Sequence, residues 1–445
     1  MSSASDVVPD QPEETTVGNY FVANYPPFSF WDAARRDEPL AALQRPPVPD
    51  TPLGLYVHIP FCRKRCHFCY FRIYTGGEAK NDRVASYVES VLREVELYAA
   101  QPLLAGRKPR YAYFGGGTPS FLRPAQIVAL TDGIQQCLPW DEVEEITFEC
   151  EPGTLDEAKL RTLRGVGVTR LSLGIENFDD EILRVNNRSH LESHALQAYE
   201  IARQQGFPQI NIDLIAGMLN ETEENWHDCI RKTIDMAPDC VTIYQMEITF
   251  NSIIYKQMKE RGELVAPVAD WPTKRRWVRE AFELLESAGY TVTSGYTAVK
   301  DADNYRFLYR DYLWQGADML SLGVSSFGHF SGTHYQNEAN IGPYMRRVEQ
   351  NELPIYRALT ITGDEQLILE LILQMKLGRL NSNYFQKKFG VDIHARFARP
   401  LQQLEQAKMV ELDLEGVSLT RDGLLQVDSF LPAFFLPQHQ DARYT

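Results

Sequence analysis

Short apolar runs alternate with amphipathic segments through the middle of the chain. The runs that favour β-strands lie at Leu53–His58, Tyr111–Phe114, Glu145–Cys150, Arg170–Gly174, Gln209–Ala216 and Val241–Met246. Segments with helical apolar spacing lie between them, at Arg83–Ala99, Pro124–Cys137, Leu155–Leu163, Ser193–Gln205 and Glu223–Met236. Six strand-then-helix units predict an α/β fold, a parallel sheet that right-handed crossovers curl toward a barrel. Active residues are then expected at the carboxyl ends of the strands.

The pattern changes toward the C-terminus. Thr362-Gly-Asp-Glu365 matches a capping box, which marks the start of a helix. Two helical patterns follow, over Gln366–Lys376 and Pro400–Lys408. A hairpin is expected after them, with strands at Met409–Leu414 and Val417–Thr420. These elements predict a small winged-helix-like α+β domain.

The N-terminal segment divides into two parts. Residues 1–16 are polar and acidic and are expected to form a disordered tail. Residues 17–50 are aromatic at first and rich in proline at the end, so we expect them to pack against the protein rather than remain in water. We favour an arm packed on the barrel, and the alternative is an arm over the active site that helps to bind substrate.

Composition excludes several classes of protein. The 445 residues carry 60 acidic and 45 basic side chains, a net charge of -15, which argues against a nucleic-acid binder. Lys387 and Lys388 are too few basic residues to indicate a DNA-binding surface, so the C-terminal domain is interpreted as structural. No apolar run approaches the roughly 20 residues that span a bilayer. The N-terminus lacks a signal-peptide core, so we expect a cytoplasmic protein with no membrane partner.

Three cysteines stand at C-x3-C-x2-C in one short stretch, at Cys62, Cys66 and Cys69. Three thiolates can hold three irons of a four-iron cluster and leave the fourth iron open to a small molecule. A structural zinc site needs four ligands, and His67 lies between two cysteines, where its ring would have trouble reaching the same metal. A disulfide framework is excluded because the number is odd. The other four cysteines are expected to pack as small hydrophobic residues.

The cysteine spacing has companions elsewhere in the chain. Tyr56-Val-His-Ile-Pro-Phe precedes it, and Gly115-Gly-Gly-Thr-Pro119 follows the second predicted strand. Together they resemble the radical SAM superfamily, specifically its HemN-like branch, from about residue 53 to about residue 435. The branch includes coproporphyrinogen III oxidases, a heme chaperone, methyltransferases and cyclopropanases. The resemblance implies a partial (β/α)6 barrel at residues 51–345, a C-terminal domain at 346–445, and the tail and arm at 1–50.

The resemblance also implies the cofactors and their contacts. A [4Fe-4S] cluster would be held by the three cysteines, and two molecules of S-adenosylmethionine (SAM) are expected. It places the SAM contacts at Tyr56, Phe68, Gly116, Gly117, Thr118, Glu149, Glu176, Arg188, Asp213, Glu247 and Phe327. The amino-acid part of SAM carries an ammonium and a carboxylate, so an acid and a base are expected to converge on it. Burial of Asp213 in an apolar strand is costly without a partner, which favours a ligand role for it. The related oxidase has Gln where this chain has Glu176, and Glu151 is interpreted as a surface carboxylate.

The resemblance implies reductive cleavage of SAM to a 5′-deoxyadenosyl radical. The oxidase has a further cysteine where this chain has Phe71. The sequence therefore favours one-carbon transfer, either methylation or cyclopropanation, to an unsaturated carbon of a small-molecule substrate. The alternatives are oxygen-independent coproporphyrinogen III oxidation and a heme chaperone. The second is weakened because Asp303-Asn304-Tyr305-Arg306 lacks the histidine of the chaperone's heme motif.

Arg63-Lys64-Arg65 lies inside the cysteine loop. It could dock an acidic electron donor such as a flavodoxin or ferredoxin, neutralise a negatively charged cluster, or be solvated. The three possibilities stay open. The substrate is not determined by the sequence, although His329, His334 and Tyr335 are candidates near the last barrel segment.

Overall fold

A computed structural model describes residues 21–249, 251–261 and 267–440. The tail predicted at residues 1–16 lies outside them. The strands are β1 (Leu53–Ile59), β2 (Pro109–Gly116), β3 (Glu145–Cys150), β4 (Arg170–Glu176), β5 (Gln209–Ala216), β6 (Cys240–Gln245), β7 (Thr291–Val292), β8 (Thr297–Val299), β9 (Asp318–Leu322), β10 (Phe327–Phe330), β11 (Thr333–Asn337), β12 (Ile355–Thr360), β13 (Arg379–Asn381), β14 (Val410–Asp413) and β15 (Gly416–Leu419).

The α-helices are α1 (Asp37–Leu43), α2 (Asn81–Ala99), α3 (Pro124–Cys137), α4 (Glu157–Gly165), α5 (Asp180–Val185), α6 (Glu192–Gln204), α7 (Glu223–Met236), α8 (Ile253–Arg261), α9 (Trp271–Ser287), α10 (Leu308–Trp314), α11 (Ile341–Glu349), α12 (Gly363–Met375), α13 (Ser382–Phe389), α14 (Ile393–Arg396), α15 (Ala398–Gln406), α16 (Arg421–Leu425) and α17 (Val427–Phe430). Within the described ranges, no helix has the length and apolar character needed to cross a membrane.

The large sheet is an open, partial barrel. Strands β1 to β6 are parallel and lie side by side in chain order, and β9 pairs in parallel with the outer side of β1. Antiparallel β10–β12 extend one edge, and β8 and β7 extend the other. The predicted α/β barrel of six parallel strands is confirmed. Strands β7–β12 were not predicted, and β7 and β8 have only two and three residues.

Alternation along each strand separates the core from the lumen. In β4, Leu171, Leu173 and Ile175 belong to the large hydrophobic core beneath the helices. Successive strand residues point to opposite faces, so Ser172 and Glu176 point into the barrel. The same alternation in the other parallel strands fills the lumen with polar and aromatic side chains.

The C-terminal part has its own small sheet, in the order β13-β15-β14. The predicted hairpin is confirmed as β14 and β15, and helices α12, α13 and α15 supply apolar residues to a second core. Strand β12 joins the large sheet rather than the small one. The exact domain boundary, given above as residue 345, stays a prediction.

The described part of the N-terminal arm is packed against both parts of the molecule. Tyr25 and Trp31 are buried, and the Trp31 ring stacks on His334 with centroids 5.1 Å apart. His334 Nε2 donates to the Tyr25 carbonyl (3.1 Å). The Tyr25 hydroxyl accepts a hydrogen bond from the backbone N–H of Leu436 (2.9 Å).

Glu94 of α2 is a fully buried carboxylate that joins three elements. It accepts hydrogen bonds from Gly323 N–H (2.7 Å), Asn337 Nδ2 (2.6 Å) and Tyr344 O–H (2.6 Å). Burial raises the pKa of Glu94 to about 7, although the three donors oppose that shift. The carboxylate therefore fixes α2 to the turn after β9, to β11 and to α11.

We expect Glu94→Ala to lower the free energy of unfolding by about 3 kcal/mol, because it leaves buried donors without an acceptor. Denaturant unfolding measures the change, and exposed Glu89 on the same helix supplies the control Glu89→Ala. Equal stabilities for the two variants would contradict the structural role of Glu94.

Candidate active site

A loop after β1 carries the three predicted cluster ligands. Cys62 is buried, Cys66 and Cys69 are partly exposed, and all three are free thiols. The base of the loop is closed because Cys62 N–H donates to the Tyr74 carbonyl (3.0 Å) and Tyr74 N–H donates to the Pro60 carbonyl (2.8 Å). Three sulfur atoms thus lie on one short, anchored loop, which is the arrangement that a site-differentiated four-iron cluster requires.

The turn between α5 and α6, here called the 186–190 turn, forms a wall beside this loop. The Asn186 carbonyl accepts the backbone N–H of His67 (3.1 Å), and the Asn187 side chain donates to the Arg65 carbonyl (2.8 Å). The next residue, Arg188, donates from Nη1 to Cys66 Sγ (3.2 Å). Consecutive residues of the turn therefore hold the cysteine loop in place.

The glycine turn after β2 touches the same loop from the other side. Gly117 N–H donates to the Ile59 carbonyl (2.8 Å), and a Cβ atom on Gly117 would lie 2.9 Å from Pro60 backbone and 3.0 Å from Cys62 Sγ. Gly116 has φ +111°, which favours glycine. Thr118 Oγ1 donates to Cys62 Sγ (3.2 Å). The glycines are needed because the two backbones approach so closely.

Three carboxylates, one on each of the neighbouring strands β3, β4 and β5, face the barrel. Burial raises the pKa of Glu149 and of Glu176 to about 7, and the charge of Asp213 adds to both shifts. Burial also raises the pKa of Asp213. Tyr113 O–H donates to Glu149 Oε1 (2.6 Å), and Ser172 O–H donates to Asp213 Oδ2 (2.7 Å). This acidic environment suits a ligand that brings positive charge into the barrel mouth.

Arg188 is the buried cation of this group rather than a solvated surface residue. Its guanidinium donates from Nη2 to the Gly174 carbonyl (2.5 Å) and lies 3.5 Å from Glu176 Oε1. Burial lowers the pKa of Arg188, but the neighbouring Cys66, Glu176 and Glu151 raise it by more. Arg188 therefore remains a cation beside the cysteine loop.

Tyr56 and Phe68 contribute aromatic rings near the cysteine loop. The Tyr56 hydroxyl is 3.1 Å from His58 Nδ1, and its ring stacks on Tyr113 with centroids 6.0 Å apart. Phe68 packs against a small apolar cluster that includes Met218. Both residues are therefore part of the walls around the cysteine loop and the carboxylates.

Glu247 and Phe327 contact the N-terminal arm. Glu247 Oε1 accepts the backbone N–H of Phe21 (2.7 Å), and burial raises the pKa of Glu247 to about 8. The Phe327 ring packs against Phe28 (4.5 Å between centroids) and Trp31 (5.6 Å). The arm thus contacts two of the residues expected to lie near SAM.

The interpretation of Glu151 as a surface carboxylate is wrong. Glu151 is buried, and His190 Nδ1 lies 2.9 Å from its Oε1. Strand β3 ends at Cys150, so the alternation of strand faces does not extend to Glu151. His190 and Tyr113 were also missed, although Tyr113 could have been placed in the lumen by its spacing within β2.

The donors and charges at the mouth fit the cluster and SAM. Thr118 and Arg188 both direct donors at cysteine sulfur, as a cluster of thiolates requires. The buried carboxylates offer acceptors to an ammonium group and a ribose. His67 donates from Nδ1 to the Val185 carbonyl (2.9 Å), so that nitrogen is engaged away from the metal site considered above.

Comparison with known proteins also indicates a site for a [4Fe-4S] cluster and SAM. The family model of the radical SAM superfamily matches residues 56–233. The oxygen-independent coproporphyrinogen III oxidase of Helicobacter pylori strain J99 is 28% identical over 400 residues, with 86% of each chain covered. The Salmonella typhimurium enzyme of the same name is 28% identical over 413 residues, covering 89% of this chain and 88% of that protein.

A solved structure extends the likeness to the whole fold. The coproporphyrinogen III oxidase HemN from Escherichia coli matches with a TM-score of 0.80 and 25% identity, covering 93% of this chain and 96% of that one. The barrel and the cysteine loop define a radical SAM enzyme, whose family uses a [4Fe-4S] cluster and SAM. Within that class, the chain is similar to the HemN-like oxidases along most of its length.

The prediction of one-carbon transfer is wrong. Relatives that cover 86% and 89% of the chain are named as oxidases, not as methyltransferases or cyclopropanases. The prediction depended on the retained SAM pocket together with Phe71 at the position of an extra cysteine. Phe71 is 44% exposed and packs on Tyr70. A difference at one exposed loop position does not outweigh similarity along the whole chain.

We expect Cys62→Ala, Cys66→Ala and Cys69→Ala each to abolish most cluster loading, because three thiolates are the minimum set for a site-differentiated cluster. Iron and acid-labile sulfide per chain, measured after anaerobic reconstitution, test this. Cys137→Ala is the matched control, since Cys137 is a partly buried free cysteine on α3. Full loading of any of the three variants would contradict the ligand assignment.

Proposed function

We propose that this protein catalyses the oxygen-independent oxidative decarboxylation of coproporphyrinogen III or a closely related porphyrinogen. The single observation that carries the proposal is the extent of the similarity to the named oxidases. It runs through the barrel and on into the C-terminal domain, with a TM-score of 0.80 over 93% of the chain. The radical SAM match alone, over residues 56–233, would support only the class of chemistry.

We assign roles to the site residues on the same basis. Cys62, Cys66 and Cys69 hold the cluster. The remaining predicted contacts bind SAM, with Glu149 and Arg188 facing its amino-acid charges and Asp213 facing a ribose. When bound, the cluster and SAM supply an agent that removes a hydrogen atom from the substrate without oxygen.

The chain itself holds the substrate and excludes water. Tyrosines line the mouth and lumen, and the rings of Tyr113 and Tyr309 lie 4.4 Å apart, while those of Tyr244 and Tyr296 lie 6.4 Å apart. Tyr244 keeps 43% of its surface exposed at the end of β6. Flat aromatic faces with polar tips suit the pyrrole rings of a porphyrinogen.

For each propionate side chain, the net reaction removes one CO2, one hydrogen atom and one further electron. That electron passes to an acceptor.

Anaerobic incubation with coproporphyrinogen III, SAM and reductant tests the proposal. We expect CO2 release and a product in which vinyl groups replace propionates, with deoxyadenosine formed in step. Cys69→Ala should give neither product, and Cys137→Ala should resemble the wild type. Deoxyadenosine formation that the porphyrinogen does not stimulate, with all propionates intact, would contradict the substrate.

We further propose that an acidic one-electron donor, a flavodoxin or ferredoxin, docks on the outer face of the cysteine loop. Lys64 and Arg72 are both exposed in this part of the chain. In a chain with a net charge of -15, a local basic patch favours an acidic partner.

The free cysteines suit a reducing compartment such as the cytoplasm.

Lys64→Glu combined with Arg72→Glu should slow cluster reduction by flavodoxin at low salt by about tenfold, because steering by charge is lost. Stopped-flow absorbance measures the rate, and reduction by dithionite should not change. Lys387→Glu, an exposed change on the C-terminal domain, is the control. An unaltered flavodoxin rate in the double variant would place the docking surface elsewhere.

A further inference from the structure

His190 lies next to the site, at the end of the 186–190 turn. Its side chain is buried, with Nδ1 2.9 Å from Glu151 Oε1 and Nε2 3.1 Å from the Ile175 carbonyl. A carbonyl and a carboxylate are both acceptors, whereas a neutral imidazole has only one N–H to donate. Both contacts are satisfied only if the pair carries one more proton than a neutral histidine beside a carboxylate. Burial lowers the pKa of His190, and the hydrogen bond and charge of Glu151 oppose that shift.

The pair joins the ends of two strands and anchors the 186–190 turn. Glu151 follows β3, and Ile175 lies at the end of β4. Gly153 N–H also donates to Glu151 Oε1 (3.2 Å), which fixes the carboxylate in position. His190 therefore ties the turn that carries Arg188 to both strands.

Glu151 also interacts with Arg188 through its charge. Burial raises the pKa of Glu151, but the hydrogen bond from His190 and the charges of Arg188 and His190 lower it to about 2. Arg188 at the same time contacts Cys66 Sγ and lies 3.5 Å from Glu176. A buried anion whose own partner is removed draws on the nearest cation.

We propose that the proton shared by Glu151 and His190 keeps Arg188 directed at the cysteine loop and at SAM, so that His190 is a positioning residue for cofactor binding. This inference rests on the SAM contact assigned to Arg188 under the proposed function. It does not depend on which substrate the enzyme takes.

Variants at His190 and Glu151 separate the effect of charge from that of packing. In His190→Gln, the amide can still donate a hydrogen bond, but Glu151 becomes a buried anion without its cation, and Arg188 turns toward it. In Glu151→Gln, there is no anion to compete, and His190 can be neutral. The double variant Glu151→Gln/His190→Gln removes both charges and restores the orientation of Arg188.

The test is SAM binding to the reconstituted, reduced protein, followed by the change that SAM causes in the EPR signal of the cluster, without porphyrinogen. We expect the Kd for SAM to rise about tenfold in His190→Gln, a coupling typical of contacting charges. Glu151→Gln and the double variant should stay within about twofold of the wild type. Iron content and thermal unfolding are recorded for all four proteins.

Two outcomes would overturn the proposal. If the double variant binds SAM as weakly as His190→Gln, the histidine acts through packing rather than through charge. If Glu151→Gln alone weakens binding about tenfold, Glu151 is not a competitor of Arg188. If His190→Gln fails to load iron, SAM binding by Glu151→Gln still tests whether Glu151 competes for Arg188. If the wild type does not turn over the porphyrinogen but the variants show the expected pattern of SAM binding, the proposed substrate is refuted and this inference stands.

Discussion

Burial of charge at one end of the barrel is the constraint on which the rest of the structure depends. Glu149, Glu176 and Asp213 point into the same mouth, and Arg188 is the cation placed among them. Taking such groups out of water costs several kcal/mol each unless partners compensate. Parallel strands make the arrangement possible, because their carboxyl ends bring together residues far apart in sequence. The hydrophobic core beneath the helices supplies the stability that offsets this cost.

Two of the carboxylates that face the mouth are each held by a second polar group. The Tyr113 hydroxyl supports Glu149, and Ser172 supports Asp213. Such supports fix the orientation of the groups that meet a ligand. The raised pKa values of these carboxylates show that hydrogen bonds offset only part of the desolvation, so a cationic ligand would relieve the remainder.

The sequence predicted the six parallel strands, the hairpin and the cysteine loop because each depends on local pattern. The short apolar runs over β3 and β5 gave the limits of both strands without error. Glu151 was misjudged because its burial depends on His190, a partner 39 positions away that only the folded chain reveals. The reaction was misjudged because one residue, Phe71, was given more weight than the chain as a whole. Side-chain pairing across elements and overall similarity are both invisible to local spacing.

The arm shows how the C-terminal domain takes part in the same electrostatic arrangement. Buried Lys376 of that domain donates to the Val22 carbonyl (2.6 Å) and pairs with Asp428 (2.7 Å). The neighbouring arm residue, Phe21, donates its backbone N–H to Glu247 at the barrel mouth. Because Glu247 has a raised pKa and the charge of Lys376 opposes that shift, the domain and the barrel share one electrostatic network. A small domain with little basic surface therefore has a physical reason to be docked here, because its buried lysine stabilises the arm, and the arm in turn contacts Glu247.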